Sequence, residues 1–355
     1  MKRFDSIRPY TDSEVQSVLQ QLSTNSDVVK AFISATKFGF LTKIPFSAWI
    51  ASKILQTKIK NIHTINDYQS IFENLVSNMI DTKTSGFTCN GFQNIKPNMS
   101  YLYMSNHRDI TVDPALLNYM LHQNNFKTTN IAVGNNLMSE AWASDLMRLN
   151  KSFIIDRTGK SKREIYQGLN LASEYIEDSI LEKNEPIWIA QKQGRAKDGL
   201  DKTDPALLKM IHLINRKSIP ISDYFNSLCF IPVAVSYEFD PNDLFKANEL
   251  HAIETHQEYI KTDKEDLNSI ANGISGQKGL VNLNIGSPIN FIDNSYEACA
   301  NLISRSILDL YELQPSNFAA CQLQNIKYTL DCNFSKDQIN FAKDYLENRT
   351  SGLEP

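Results

Sequence analysis

The sequence predicts an α/β fold in which helices cover both faces of a sheet. Two observations predict it. From about residue 86 onward, short apolar runs bounded by turn residues recur as strands: Tyr101–Met104, Ile131–Val133, Phe153–Ile155, Ile187–Ala190, Phe230–Ser236 and Leu280–Ile285. Between them lie longer helical stretches, at Pro114–His122, Ser161–Glu182, Asp204–Asn215 and Ser295–Leu313. Strands that alternate with helices are buried on both faces, so they read as continuous apolar runs.

The N-terminal part has a different pattern. Residues 11–24 read as a helix, with Thr11 or Ser13 to cap it and Val15, Val18, Leu19 and Leu22 at helical spacing. Residues 28–57 are rich in Phe, Ile and Ala, and Pro45 divides them into two helical pieces. The expected organisation is a helical N-terminal region over 1–85, one α/β domain over 86–315, and a C-terminal extension over 316–355. The extension holds one more helix, Ser335–Glu347, and a polar tail.

Composition narrows the function. The 355 residues carry a formal net charge of −4, so the molecule as a whole is not a polyanion binder and nucleic acid is not an expected partner. The charge is uneven. Residues 28–66 hold Lys30, Lys37, Lys43, Lys53, Lys58 and Lys60 with no acidic residue. Phe32, Phe38, Phe40, Leu41, Ile44, Phe46, Trp49 and Ile50 lie among these lysines, a pattern that suits the headgroup region of an anionic membrane. No window has about 18 uninterrupted apolar residues, so a membrane link must be peripheral. The five cysteines form no CxxC pair, which fits a reducing, cytoplasmic compartment and argues against a zinc site.

The chemistry concentrates in the stretch from Tyr101 to Leu117. An apolar strand runs into Ser105, Asn106 and His107, and after a polar turn Asp113 stands before Pro114. That order suits a helix N-cap followed by Pro at the first helical position. The turn can bring the His107 imidazole to a carboxylate. Such a contact fixes the tautomer and leaves the other ring nitrogen free to accept a proton. Asp113 is the favoured partner and Asp109 the alternative. The nucleophile can then be the substrate's own hydroxyl. Ser105 is not a candidate, because no GxSxG elbow surrounds it.

Here the sequence resembles the glycerophospholipid acyltransferase superfamily, whose first motif is an Asn-His pair followed by Asp. In this chain five residues, rather than four, separate His107 from Asp113. Three further stretches follow in the family's order. Lys151–Arg157 is similar to the second motif, with Lys151 in place of a Gly. Gln191–Arg195 is similar to the third, keeping Gly194 and Arg195 but with Gln193 in place of Glu. Phe230–Val235, with Pro232, is similar to the fourth. The resemblance implies an αβα domain with a mixed sheet flanked by helices. It also implies transfer of an acyl group from an acyl-CoA or acyl carrier protein thioester to a glycerol-phosphate or lysophospholipid hydroxyl. His107 would be the general base, with Asp113 or Asp109 beside it. Arg157, Arg195, Gly194 and Gln193 would hold the substrate phosphate at one sheet edge. Neither a metal nor another cofactor is required.

Two rival readings follow from the same residues. The changes at Lys151 and Gln193 fit a catalytically inactive lipid- or anion-binding protein of the same fold. A metal-dependent hydrolase would use His107, Asp109 and Asp113. Gly273–Gly279 lacks the spacing of a phosphate loop, and no Ser or Thr follows Lys278.

Overall fold

The structure, a computed structural model, describes residues 3–35, 47–135, 140–256, 259, 261–262 and 265–350. Its helices up to the middle of the chain are α1 (Asp12–Thr24), α2 (Ser26–Ala35), α3 (Ser47–Ile59), α4 (Ile65–Lys83), α5 (Val112–Gln123), α6 (Ala141–Leu149) and α7 (Lys162–Glu177). The later ones are α8 (Pro205–Ile211), α9 (Ile221–Ser227), α10 (Asp243–Glu254), α11 (Glu265–Ser275), α12 (Tyr296–Leu310), α13 (Pro315–Leu323) and α14 (Lys336–Thr350). The strands are β1 (Gly86–Asn90), β2 (Leu102–Ser105), β3 (Asn130–Gly134), β4 (Ser152–Ile155), β5 (Ile187–Ala190), β6 (Phe230–Tyr237) and β7 (Leu280–Ile285).

The chain forms two compact units, and neither is a sequential segment. One comprises residues 1–75 and 129–187; the other comprises 76–128 and 188–355. This differs from the expected division at 85 and 315. The first unit takes in β3, β4 and their helices from the middle of the chain, and the C-terminal extension belongs wholly to the second unit.

In the first unit, Thr11 and Glu14 form a capping box that starts α1. Arg8 grips the Glu14 carboxylate with two nitrogens, at 2.7 and 3.0 Å, which helps hold that carboxyl down to about 2. Val15, Val18, Leu19 and Leu22, at the spacing of one helical face, bury against Ile62, Tyr68 and Leu149. Strands β3 and β4 pair in parallel, with Ile131 opposite Ser152. Lys151, just before β4, holds φ at +61°. That left-handed conformation costs an L-residue about 1 kcal/mol and is the reason a glycine suits the position. On α3, Trp49 is 64% exposed. Pro45, Lys37, Lys43, Phe38, Phe40, Leu41, Ile44 and Phe46 lie outside the described residues.

In the second unit the strand order is β1-β7-β6-β2-β5. Strand β1 runs parallel to β7, and β2 runs parallel to β6, but β6 and β7 are antiparallel. The sheet is therefore mixed and flanked by helices, as expected. Strand β6 supplies its spine: seven of its eight residues are buried. The C-terminal helices α13 and α14 close a small core of Phe318, Ala319, Ile339 and Ala342 over Phe239. No helix among the described residues is long and apolar enough to cross a membrane.

Candidate active site

Because β2 and β6 run in the same direction, their carboxyl ends come to the same edge of the sheet. Asn106 locks this edge. Its side-chain amide donates to the Val235 carbonyl at 2.9 Å, and its side-chain oxygen accepts from the Val235 N–H at 2.8 Å. The pair continues the ladder for one more step and fixes the direction in which the next residue, His107, leaves the strand.

His107 meets Asp113, with Nδ1 2.9 Å from Oδ2. The Asp113 carboxylate is fully buried, and both its oxygens are engaged. Oδ2 also accepts from the backbone N–H groups of Arg108 at 2.7 Å and Asp109 at 3.0 Å, while Oδ1 accepts from the Tyr237 hydroxyl at 2.7 Å. Two backbone donors, the imidazole and a phenol thus satisfy both oxygens of the buried carboxylate. The imidazole packs edge-on against Trp188, ring centroids 5.7 Å apart, and the Trp188 indole N–H donates to Ser105 Oγ at 3.0 Å. No partner of His107 Nε2 is recorded among the described residues.

The helix start differs from the expected one. Helix α5 begins at Val112, so Asp113 sits within its first turn rather than capping it. Thr111 is the N-cap residue and has no side-chain cap bond; Asp109 holds the backbone that leads into the helix. Its Oδ1 accepts from Thr111 N at 3.0 Å and Val112 N at 2.9 Å, an Asx-type turn. Its Oδ2 is buried and has no hydrogen-bond partner among the described residues. Burial, reinforced by the nearby Asp113 charge, pushes the Asp109 carboxyl up, against the two backbone donors that pull it down. The structure therefore pairs His107 with Asp113 and turns Asp109 away from the imidazole.

Asp109 is also walled in. A Cβ built on Gly273 of α11 would stand 2.2 Å from its Oδ2. The usual helix gain of Gly→Ala, about 1 kcal/mol, cannot offset that contact, because the short Asp109 side chain is pinned by two backbone bonds. Gly273→Ala is expected to destabilise the protein by about 1–3 kcal/mol, read as a lower urea midpoint at unchanged m. An unchanged or raised midpoint would show that the contact is not rigid.

The loop after β5 is tied to the same edge. Gln191 N donates to Ser105 O and Ala196 N to His107 O, both at 2.8 Å. This places the backbone of Arg195 next to that of His107. Gly194 turns the loop with φ at +74° in open space, and Gln193 is exposed. The Arg195 guanidinium donates from Nη2 to Ser269 Oγ at 3.4 Å, while Nη1 is buried with no partner among the described residues. Arg157 follows β4 in the first unit. Lys278, from the stretch that lacks phosphate-loop spacing, is buried and donates to Gly276 O at 2.8 Å, a structural role.

Several site residues were not read from the sequence. Tyr237 and Trp188 hold the two ends of the His107 arrangement, and Arg108 pairs with Asp201 at 2.6 Å. The signal for Tyr237 was its place at the end of an apolar strand with the direction of β2. A cleft of about 1120 Å³ opens beside these residues, lined by Arg108, Tyr237, Phe239, Leu308, Tyr311 and Leu313 among others.

Residues 86–200 match the family model described as Acyltransferase. The matched segment holds His107, Asp113, Arg157, Gln193, Gly194 and Arg195, and the match bears out the resemblance read from the motifs. No curated protein matches the chain. Among solved structures, the chain is similar to the 1-acyl-sn-glycerophosphate (LPA) acyltransferase PlsC of Thermotoga maritima, with 13% identity and a TM-score of 0.40, covering 83% of this chain and 97% of that one. It is similar at a lower level to the cell division protein FtsY of Thermotoga maritima, with 11% identity and a TM-score of 0.24 over 85% of this chain and 91% of that one. Likenesses this distant carry no argument about activity.

Proposed function

We propose that His107 is the general base of an O-acyl transfer, in a chain whose residues 86–200 match the family model described as Acyltransferase. The donor is a fatty acyl thioester of coenzyme A or an acyl carrier protein, and the acceptor is a hydroxyl of a glycerol-phosphate or lysophospholipid. The observation that carries this reading is the 2.9 Å contact between His107 Nδ1 and the buried Asp113. With Nδ1–H donating to the carboxylate, Nε2 holds the lone pair that takes a proton.

The acceptor hydroxyl gives its proton to Nε2 as its oxygen attacks the thioester carbonyl. The imidazolium is stabilised by Asp113. The tetrahedral intermediate collapses, the C–S bond breaks, and the leaving thiolate takes the proton from Nε2. The new ester and the free thiol remain. A hydroxyl is a poor nucleophile at neutral pH, so a positioned base contributes roughly 10²–10⁴-fold.

Arg195 is the proposed anchor for the acceptor phosphate. Its backbone neighbours that of His107, and its buried Nη1 has no hydrogen-bond partner among the described residues. The apolar wall of the adjacent cleft suits a hydrocarbon chain. On α3, exposed Trp49 and Ile50 stand with exposed Lys53 and Lys58, and exposed Lys60 follows the helix, which supports a peripheral seat on the anionic cytoplasmic face of a membrane. The metal-hydrolase reading loses ground, because Asp113 is engaged by four donors and Asp109 by two.

The test is mass spectrometry of products after incubation with a long-chain acyl-CoA and a panel of acceptors. A phosphate-bearing acceptor should gain one acyl group. Binding without turnover across the panel would instead favour the non-catalytic reading. Arg195→Ala should raise KM for the phosphate acceptor roughly 10- to 100-fold, the worth of one hydrogen bond to a charged group. An unchanged KM would remove Arg195 from the phosphate site.

A further inference from the structure

We infer that Tyr237 is a positioning residue for the reaction, acting on His107 through Asp113. This rests on the proposed role of His107 as base.

The geometry of the carboxylate carries the inference. Asp113 Oδ2 takes three donors, from His107 Nδ1, Arg108 N and Asp109 N, whereas the donor recorded at Oδ1 is the Tyr237 hydroxyl, at 2.7 Å. The carboxylate plane turns only about the Cβ–Cγ bond, and with a donor at each oxygen that turn is resisted from both sides. The phenol holds the second oxygen and fixes that plane, and the plane sets the direction in which Oδ2 presents its lone pair to the imidazole.

The phenol is itself well placed to do this. Tyr237 is the last residue of β6, opposite Val281 of the antiparallel β7, and the Glu238 N–H that follows donates to Leu280 O at 2.8 Å. The strand therefore fixes the ring, which also forms part of the cleft wall. Burial and the neighbouring Asp113 keep the hydroxyl protonated, so it donates throughout the working pH range. The other charged or titratable groups around this point are Asp109, Asp240, the Arg108–Asp201 pair and, beside Asp109, Lys278.

Removing the hydroxyl has two consequences. Oδ1 loses its donor, so the imidazole loses its orientation. The carboxylate charge is no longer shared with a donor, so it stabilises the imidazolium better, and His107 holds its proton to higher pH.

The test is Tyr237→Phe, which keeps the ring in the cleft wall. The expected results are a kcat lower by roughly ten- to a hundredfold, with KM for both substrates within about twofold. The acid limb of the kcat–pH profile should move up by about one pH unit. In the double variant with Asp113→Asn, the two losses should not add, because both act through one carboxylate. The His107 ring N–H proton resonance, assigned by its absence in His107→Ala, should shift in Tyr237→Phe. An unmoved resonance, an unmoved acid limb or additive losses would each overturn the inference. If the wild-type protein transfers no acyl group, the reading of the function fails. The resonance still tests the contact between Tyr237 and the His107–Asp113 pair.

Discussion

His107→Ala is expected to lower kcat for acyl transfer by about 10³- to 10⁴-fold while leaving the protein folded. The size follows from what is lost. No hydrogen-bond partner of Nε2 is seen among the described residues, and the Asp113 carboxylate, buried and held by four donors, is already engaged on both oxygens. The fold should tolerate the change. The imidazole lies at the end of β2, packed on the edge of Trp188, and Asp113 keeps both backbone donors and the Tyr237 phenol when the ring is removed. A melting temperature within a few degrees of wild type is expected from losing one partly buried ring. The check is kcat at saturating donor and acceptor, beside a circular dichroism melt. Added imidazole should restore part of the rate, since it can occupy the vacated space and accept the proton. A folded variant that keeps a tenth of wild-type activity would exclude His107 as the base.

The His107–Asp113 pair was legible because its signal is local. Asn106, His107 and Asp113 fall within eight residues, and the strand end and helix start around them are set by neighbours in sequence. The central strands were legible for a similar reason. Ile187–Ala190 is an apolar run, which burial on both faces makes stand out, and Leu280–Ile285 sets Leu, Val and Ile around two Asn residues in a strand-like pattern. Strand β1, Gly86–Asn90, was not read, because a five-residue edge strand with partly exposed positions and a Gly start carries no apolar run. The helix start near Asp113 was misjudged for a definite reason. Asp before Pro looks like a cap, yet Asp109 closes an Asx turn earlier and starts α5 at Val112. The place of Tyr237 at the end of an apolar strand was in the sequence, but its partner Asp113 lies 124 residues away, and its role exists only once β2 and β6 lie side by side. The division into two units is of the same kind. It depends on the chain returning at 129–187 to join its N-terminal residues, a long-range event that local periodicity does not encode.

Asp113→Asn should produce the second-largest loss, about 10²- to 10³-fold in kcat, and its smaller size compared with His107→Ala follows from the same four hydrogen bonds. The amide can take up the carboxylate's place with its oxygen where Oδ2 stands. The backbone N–H groups of Arg108 and Asp109, and the Nδ1–H of His107, then still meet an acceptor. The amide nitrogen faces the Tyr237 hydroxyl, which can accept as well as donate. The tautomer of His107 therefore survives. What disappears is the negative charge that stabilises the imidazolium as it forms, an electrostatic contribution made in a buried, low-dielectric position where such contributions are large. Asp113→Ala, by contrast, should also unfold more easily, because it strands two buried N–H groups and a phenol at about 1–3 kcal/mol each. The two variants thus separate charge from satisfaction. Asparagine should give a near-normal melt with a low kcat, and alanine should give both a low melt and a low kcat. If asparagine turns over at the wild-type rate, the carboxylate charge has no part in the chemistry, and the His107–Asp113 contact is a packing feature of the strand end.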